Sequence, residues 1–345
     1  MPIDTTTTNP LTAEEAAEIQ SIRAQRARDI TVEQNRRLLE LFSHTSQSVS
    51  ECLLETDIDM ALRGETVSID EIVPGLEAGE YGVVTSPGGV GKSYLMLRGA
   101  VEVAAGIVAL GGMFGPAKEG GQSVIYLSLE DNPRTRVQNR LKELFDQMQI
   151  RMDSPQAADI RRNLKICNAQ TLATGFPGAL PVDPSNPPRL IIIDTFKSYT
   201  PETEENDSTA VAALMTTLRS FGRLYGAAIV LVHHVNKNAL GSHSRGESTA
   251  GQERGSSLIR DNARAAWTVW PPNKTEAETF SPQEVRQLVI LRNSKANHSE
   301  GGNEQWFRKN SSGVPVPIEE TTGPARSRER LTPVSRIGRP LDISL

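Results

Sequence analysis

From about residue 67 onward, short apolar runs alternate with longer segments whose apolar residues recur at helical spacing. EYGVVTS, SVIYLSLE, NLKICNA, RLIIID and AAIVLVHH are dense in β-branched and aromatic residues and predict strands. RLIIID and AAIVLVHH show no polar alternation, the pattern of strands buried on both faces of a parallel sheet. KSYLMLRGAVEVAAG, NPRTRVQNRLKELFDQM and STAVAALMTTLRSFGRLYG predict the intervening helices, the last stopping at a glycine. This alternation predicts an α/β fold with a mainly parallel central sheet. ARAAWTVW, EVRQLVILRN and NEQWFRKN read as later, antiparallel strands, and NKNALGSHSRGESTAGQERGSS reads as a flexible Gly/Ser loop.

The rest of the chain has a different texture. Residues 1–10 are Thr-rich and predict disorder, and a helix is predicted from Thr12 to about Phe42, opened by a Thr12–Glu15 capping box. After the polar break SHTSQSVS, a second short helical piece is predicted around Glu51 to Leu62. The pattern divides the chain into a helical arm (1–66), an α/β core (67–319) and an Arg/Pro-rich flexible tail (320–345).

Composition narrows the class. Hydrophobic content of 37 % and charged content of 23 % fit a soluble globular protein. No apolar run approaches the roughly 20 residues that a spanning helix needs, and MPIDTTTTNP has neither the basic start nor the apolar centre of a signal peptide. The net charge of −5 is unlike a nucleic-acid coat, although a local positive channel remains compatible with it. Cys52 and Cys167 are isolated, which speaks against a disulfide framework or zinc site and suits a reducing cytoplasm.

The candidate chemistry centres on TSPGGVGKS, Thr85 to Ser93. It matches GxxxxGK[ST] except that Ser86 stands where the first glycine belongs. Such a loop works because backbone N–H groups and a helix N-terminus converge on phosphate. Pro87, Gly88, Gly89, Val90 and Gly91 supply the turn, and Tyr94 follows at the helix start. Lys92 brings charge to the β- and γ-phosphates, and the Ser93 hydroxyl ligates magnesium. A serine at position 86 is tolerated if its φ is negative, since that position ends a strand. The site therefore calls for a nucleotide polyphosphate and Mg2+.

Asp194, ending RLIIID, occupies the position of the second magnesium ligand. Thr195 follows it, so the base that activates water must come from elsewhere. Glu130 is the candidate, on the reading that it ends a strand lying beside the phosphate-loop strand. Asp131 and Asn132 remain to cap the next helix. A GTPase is disfavoured, because the NKxD motif would place an acid where Ala239 stands. His233 and His234 close AAIVLVHH; one of them can bond the γ-phosphate and report its presence to the following loop. A shared metal is disfavoured because neighbouring strand residues point to opposite faces.

Together GGVGKS, LSLED, LIIIDTF, PETEEND, LVHHVNK, RGSSLIRDNAR and NSKAN resemble the RepA-type plasmid hexameric helicases, RecA-fold relatives of the DnaB replicative helicases. The resemblance runs from about Val67 to Glu319. It implies a RecA-like P-loop core in a homo-oligomeric, hexameric ring with ATP at subunit interfaces. By it, Lys92, Ser93, Asp194 and Glu130 keep the roles above, and His234 (or His233) senses the γ-phosphate. It also implies an arginine finger from the neighbouring subunit, matched by Arg264 or alternatively Arg254, with Lys295 placed to assist. The loop after the histidines, with Lys237, Ser242 and Arg245, would face the channel and hold single-stranded DNA by its backbone; it has no aromatic residue for base stacking. A replication initiator or loader is a further implied partner, for which the arm is a candidate docking segment. Ser86, the arm and the tail fall outside the family pattern.

Two other functions compete. A RecA-fold ATPase can bind DNA without unwinding it, as a mediator, loader or regulator. A P-loop small-molecule kinase would need no trans arginine and would ignore DNA.

Overall fold

The computed structural model describes residues 58–168, 183, 185–196, 208–235, 256–296 and 303–318. The chain divides into two compact units, residues 1–68 with 171–180, and residues 69–170 with 181–345. In the first unit the described part is a short helix α1 (Ile58–Leu62) without buried residues, followed by exposed chain. The predicted Thr12–Phe42 helix and the 320–345 tail lie outside the described residues.

The second unit opens with a small hairpin, β1 (Glu71–Val73) and β2 (Leu76–Glu77). It then builds a nine-stranded sheet. The strands in chain order are β3 (Tyr81–Pro87), β4 (Val124–Ser128), β5 (Leu164–Asn168), β6 (Leu190–Asp194), β7 (Ala228–Val235), β8 (Ala265–Trp270), β9 (Leu288–Ala296), β10 (Glu304–Lys309) and β11 (Pro315–Ile318). Their spatial order is β11-β10-β9-β8-β3-β7-β6-β4-β5. Pairing is parallel from β8 through β5 and antiparallel from β8 through β11. This is the expected α/β, RecA-like P-loop core with a mainly parallel sheet.

The central strands are buried because they are apolar throughout: β3, β4 and β6 are buried at every residue. Helix α2 (Lys92–Ala105) packs Leu95, Met96, Ala100, Val101 and Val103 into a core shared with Val84, Ile192, Val230 and Trp267. At roughly 25 cal/mol per Å2 of apolar surface, each such side chain contributes about 1.5–3 kcal/mol on burial. Gly82 makes room for this core: a Cβ there would lie 2.6 Å from the Trp267 ring. Helix α2 stops at Gly106, φ 70°, whose N–H bonds back to the last turn.

The remaining helices are α3 (Gln138–Gln147), entered through a π-helical turn at Pro133–Val137, α4 (Pro155–Asn163), α5 (Ser208–Tyr225), α6 (Ser256–Asn262) and α7 (Pro282–Val285). Helix α5 ends before Gly226, φ 62°, as its sequence predicts.

Several expectations are corrected. The strand before Glu130 does not lie beside the phosphate-loop strand: β3 pairs with β7 and β8, whereas β4 pairs with β5 and β6. Strands β7 and β6 lie between β3 and β4. The first of the predicted antiparallel strands, β8, is parallel to β3, because α6 returns the chain to the starting edge, where the Arg264 N–H bonds Tyr81 O at 2.9 Å. Of the segment EVRQ, Glu284 and Val285 close α7, held by the Ser281–Glu284 capping box, and Arg286 and Gln287 turn the chain into β9. Helix α4 and strand β11 have no counterpart among the sequence expectations. The first is short and polar, nucleated by Ser154, whose Oγ accepts from the Ala157 N–H at 3.2 Å. The second, PVPI, carries two prolines that only an edge strand tolerates.

Candidate nucleotide site

Strands β3, β7, β6 and β4 run in the same direction, so their C-terminal ends meet at one sheet edge. Register aligns Ser86 with His234, Asp194 with Val232, and Ser128 with Asp194. Ser86 keeps strand geometry, fully buried, with its hydroxyl donating to Pro87 O at 3.0 Å. It is absent from the positive-φ positions among the described residues, so a serine fits there without strain. Pro87 ends β3 and Gly88, Gly89, Val90 and Gly91 turn the chain into α2. Gly89 and Gly91 adopt φ of 83° and 106°, and the turn requires glycine at both.

Lys92 is buried, and its Nζ lies 2.6 Å from His234 Nε2, donating when the ring proton sits on Nδ1. Burial pushes the Lys92 amine's pKa down, against the upward pull of Asp194, Glu130 and Asp131. His234 Nε2 is also 3.6 Å from Glu130 Oε2. Thr195 Oγ1 donates to Glu130 Oε1 at 2.7 Å. Burial alone would raise the Glu130 pKa, but the Thr195 hydrogen bond, Lys92 and His234 outweigh it and hold the carboxyl below its ordinary value. Glu130 lies two residues beyond the end of β4, and the bend at 129–131 brings it across to His234. Capping falls to Asn132, whose Oδ1 accepts from the Arg134 N–H at 2.9 Å.

Ser93 Oγ donates to Asp194 Oδ1 at 3.1 Å. Tyr126 Oη donates to Asp194 Oδ2 at 2.6 Å and lies 3.2 Å from Ser93 O. Burial pushes the Asp194 pKa up, opposed by the hydrogen bond from Tyr126, by Lys92 and by Ser93. A hydroxyl and a carboxylate at this spacing are the hard oxygen donors that suit Mg2+, which keeps most of its coordination for phosphate and water. The loop, Lys92 and the α2 N-terminus suit a polyphosphate.

The other predicted residues divide. His233 is buried, and its ring stands edge-on to Phe196 with centroids 6.5 Å apart, so the two histidines do point to opposite faces. Tyr94 turns away from the loop, donating to Glu143 Oε2 at 2.6 Å with Arg140 over its ring. Arg264 sits at the opposite sheet edge, half exposed, 3.6 Å from Glu80. Lys295 Nζ donates to Asp261 O at 2.8 Å near it. Arg254, Lys237, Ser242 and Arg245 lie outside the described residues. Residue reading missed Tyr126, which looks like any aromatic strand residue, and treated Thr195 only as a missing acid. Among the described residues no cluster of three or more His, Cys, Asp or Glu could hold a metal alone, and no helix is long and apolar enough to cross a membrane.

A parallel sheet that brings a phosphate loop, Asp194 and Glu130 to one edge has the arrangement of a phosphate-loop ATPase. The chain belongs to the family described as an AAA domain, whose model matches residues 47–239. Among solved structures it is similar to a DnaB-like replicative helicase studied for its interactions with primase, at 11 % identity, covering 87 % of this chain and 78 % of that one, with a TM-score of 0.46. It is also similar to a separately solved ATPase domain, at 11 % identity, covering 76 % of this chain and 95 % of that one, with a TM-score of 0.45.

Proposed function

We propose that this ATPase is a ring-forming DNA helicase that hydrolyses ATP at subunit interfaces to move on single-stranded DNA and separate duplex, serving replication of a plasmid or other mobile element. The observation that carries the reading is His234 between Lys92 and Glu130 at the end of β7. One side chain touches both the phosphate-binding cation and the base, and it sits on the strand that leads into residues 236–255. A change at the γ-phosphate thus has a direct mechanical route into the segment that the family resemblance puts on DNA.

In this reading Lys92 and the N–H groups of residues 88–93 bind phosphate, and Ser93 and Asp194 hold Mg2+. When bound, Mg2+ supplies positive charge to the phosphoryl oxygens. Glu130, kept ionised and aimed by Thr195, takes the proton of the attacking water. His234, rather than His233, senses the γ-phosphate. Arg264 lies at the start of β8, roughly 20 Å along the sheet from its own phosphate loop, at ~3.3 Å per residue. It cannot reach its own site and, half exposed beside Glu80, is placed to serve a neighbour's, which suits it as the finger and suits a closed homo-oligomer, here a hexamer, with Arg254 as the alternative finger. Lys237, Ser242 and Arg245 grip single-stranded DNA. The 1–66 arm packs on the next subunit or docks an initiator or loader, the 320–345 tail stays peripheral, and the protein works in the cytoplasm.

The test is ATP turnover with and without single-stranded DNA, on wild type and Glu130→Ala, with a forked duplex in the same reaction. DNA-stimulated turnover with strand separation, both lost in the variant, is the expected result. Stimulated turnover without separation replaces the helicase with a DNA-binding ATPase that does not unwind. Turnover indifferent to DNA defeats both.

A further inference from the structure

The phosphate loop has a second side. Strands β3, β8 and β10 share one direction, since β9 is antiparallel to both β8 and β10. The last residue of β10, Lys309, therefore reaches the same sheet edge as the loop. A Cβ placed on Gly91 would lie 3.3 Å from Lys309 Cε and 3.6 Å from its Nζ, so the amine lies over the first turn of α2. Its place is held by α2 itself. Arg98 Nη1 donates to Pro315 O at 2.9 Å, and Pro315 is the register partner of Lys309. The same guanidinium is anchored by Glu102 at 2.7 Å and Gln147 at 2.8 Å, so the hairpin end cannot drift from the helix.

This is a poor place for a cation. The N-terminus of α2 carries the positive end of the helix dipole, and Lys92 adds a charge. Lys309 is half-buried, and among the described residues its ammonium has no hydrogen-bonded or ion-paired partner. Burial alone pushes its pKa down, with no carboxylate opposing it. Repulsion of this kind turns into attraction when an anion lies between the cation and the helix end.

The side matters. Asp194 and His234 come from strands on the β7 side of β3, Glu130 from the bend after β4 on that side, and the Lys92 amine reaches toward His234 there. That marks the end of the phosphate chain that is transferred. Lys309 approaches from the β8–β10 side. We propose that Lys309 is a nucleotide-binding residue that holds the non-transferred α- and β-phosphates, and so grips nucleoside diphosphate as well as triphosphate. The inference rests on the nucleotide-site reading above and adds to it a contact that survives hydrolysis.

The test is direct binding by the full chain of fluorescent ADP and of a non-hydrolysable ATP analogue, with Mg2+. Wild type is compared with Lys309→Met, which keeps the stem and removes the charge, with Lys309→Arg, and with Lys92→Ala. Lys309→Met is expected to weaken both nucleotides by a similar factor, about tenfold or more, as for one charge-assisted hydrogen bond. Lys309→Arg should recover most of the loss. Without nucleotide, Lys309→Met should melt no lower than wild type, because it removes an unpaired cation beside a positive helix end. Unchanged ADP binding overturns the proposal, as does a loss confined to the triphosphate, which would move Lys309 to the transferred end. A lower melting temperature without nucleotide also overturns it, making Lys309 a structural residue. If wild type binds neither nucleotide, the nucleotide-site reading itself fails.

Discussion

The two ends of strand β3 treat charge in opposite ways. At its end, beyond Pro87, one lysine faces several acceptors: Lys92 meets His234, with Glu130 and Asp194 close by. At its beginning, one carboxylate faces several cations: Glu80 is bound by Arg223 at 3.0 Å, Arg219 at 3.1 Å and Arg264 at 3.6 Å. Arg219 also lies over the Tyr81 ring, 5.0 Å from its centroid. The first arrangement has more acceptors than cations and leaves capacity for an incoming cation. The second has three guanidiniums for one acid and therefore cationic capacity left over, much of it on the half-exposed Arg264. The two ends are one strand-length apart, and under the proposed function the surplus cation at the second is the one offered to a neighbouring subunit.

The largest effect that would break this comparison is on Arg264. Arg264→Ala should lower DNA-stimulated turnover about 10³–10⁵-fold. It should barely move the melting temperature, since a half-exposed pair is worth at most about 1 kcal/mol. Mixing Arg264→Ala with Glu130→Ala chains should restore part of the turnover, because some interfaces then combine an intact base with an intact arginine; a mixture as inactive as its parts would place the arginine in its own site. Next, Glu130→Gln should cost about 10²–10⁴-fold in turnover while nucleotide affinity, read by equilibrium binding, stays close to wild type. At the other end, Glu80→Ala should cost about 2 kcal/mol of stability in a denaturant titration, because three arginines lose their shared acid in a mostly buried place. The smallest effect sharpens the catalytic end. Thr195→Val removes a hydrogen bond that favours the ionised Glu130, so the carboxyl's pKa rises and the acid limb of the pH–turnover profile moves toward neutral pH, while the alkaline limb stays.

What the residues reveal in advance follows from how local each signal is. The phosphate loop, Asp194 and the β–α alternation are legible because loop chemistry and strand apolarity are written within a few neighbouring positions. Glu130 is singled out by elimination, although its path to the site is not legible: two strands, β7 and β6, separate β3 from β4, and strand order is not written in any one segment. Tyr126, Thr195 and Lys309 carry no local signature at all. Tyr126 acts on Asp194 across a strand pair, Thr195 on Glu130 across 65 positions, and Lys309 reaches Gly91 only through the register of three antiparallel strands. Helix α4 and strand β11 are hidden for a related reason, being too short for periodicity to separate them from loop.

The bond from Arg98 to Pro315 spans 217 positions of chain. During synthesis the helix that cradles phosphate is made early, but a buried guanidinium in it has its full set of acceptors only once the final edge strand has left the ribosome. A nascent or prematurely stopped chain would carry the complete nucleotide motif and still lack the brace that settles it.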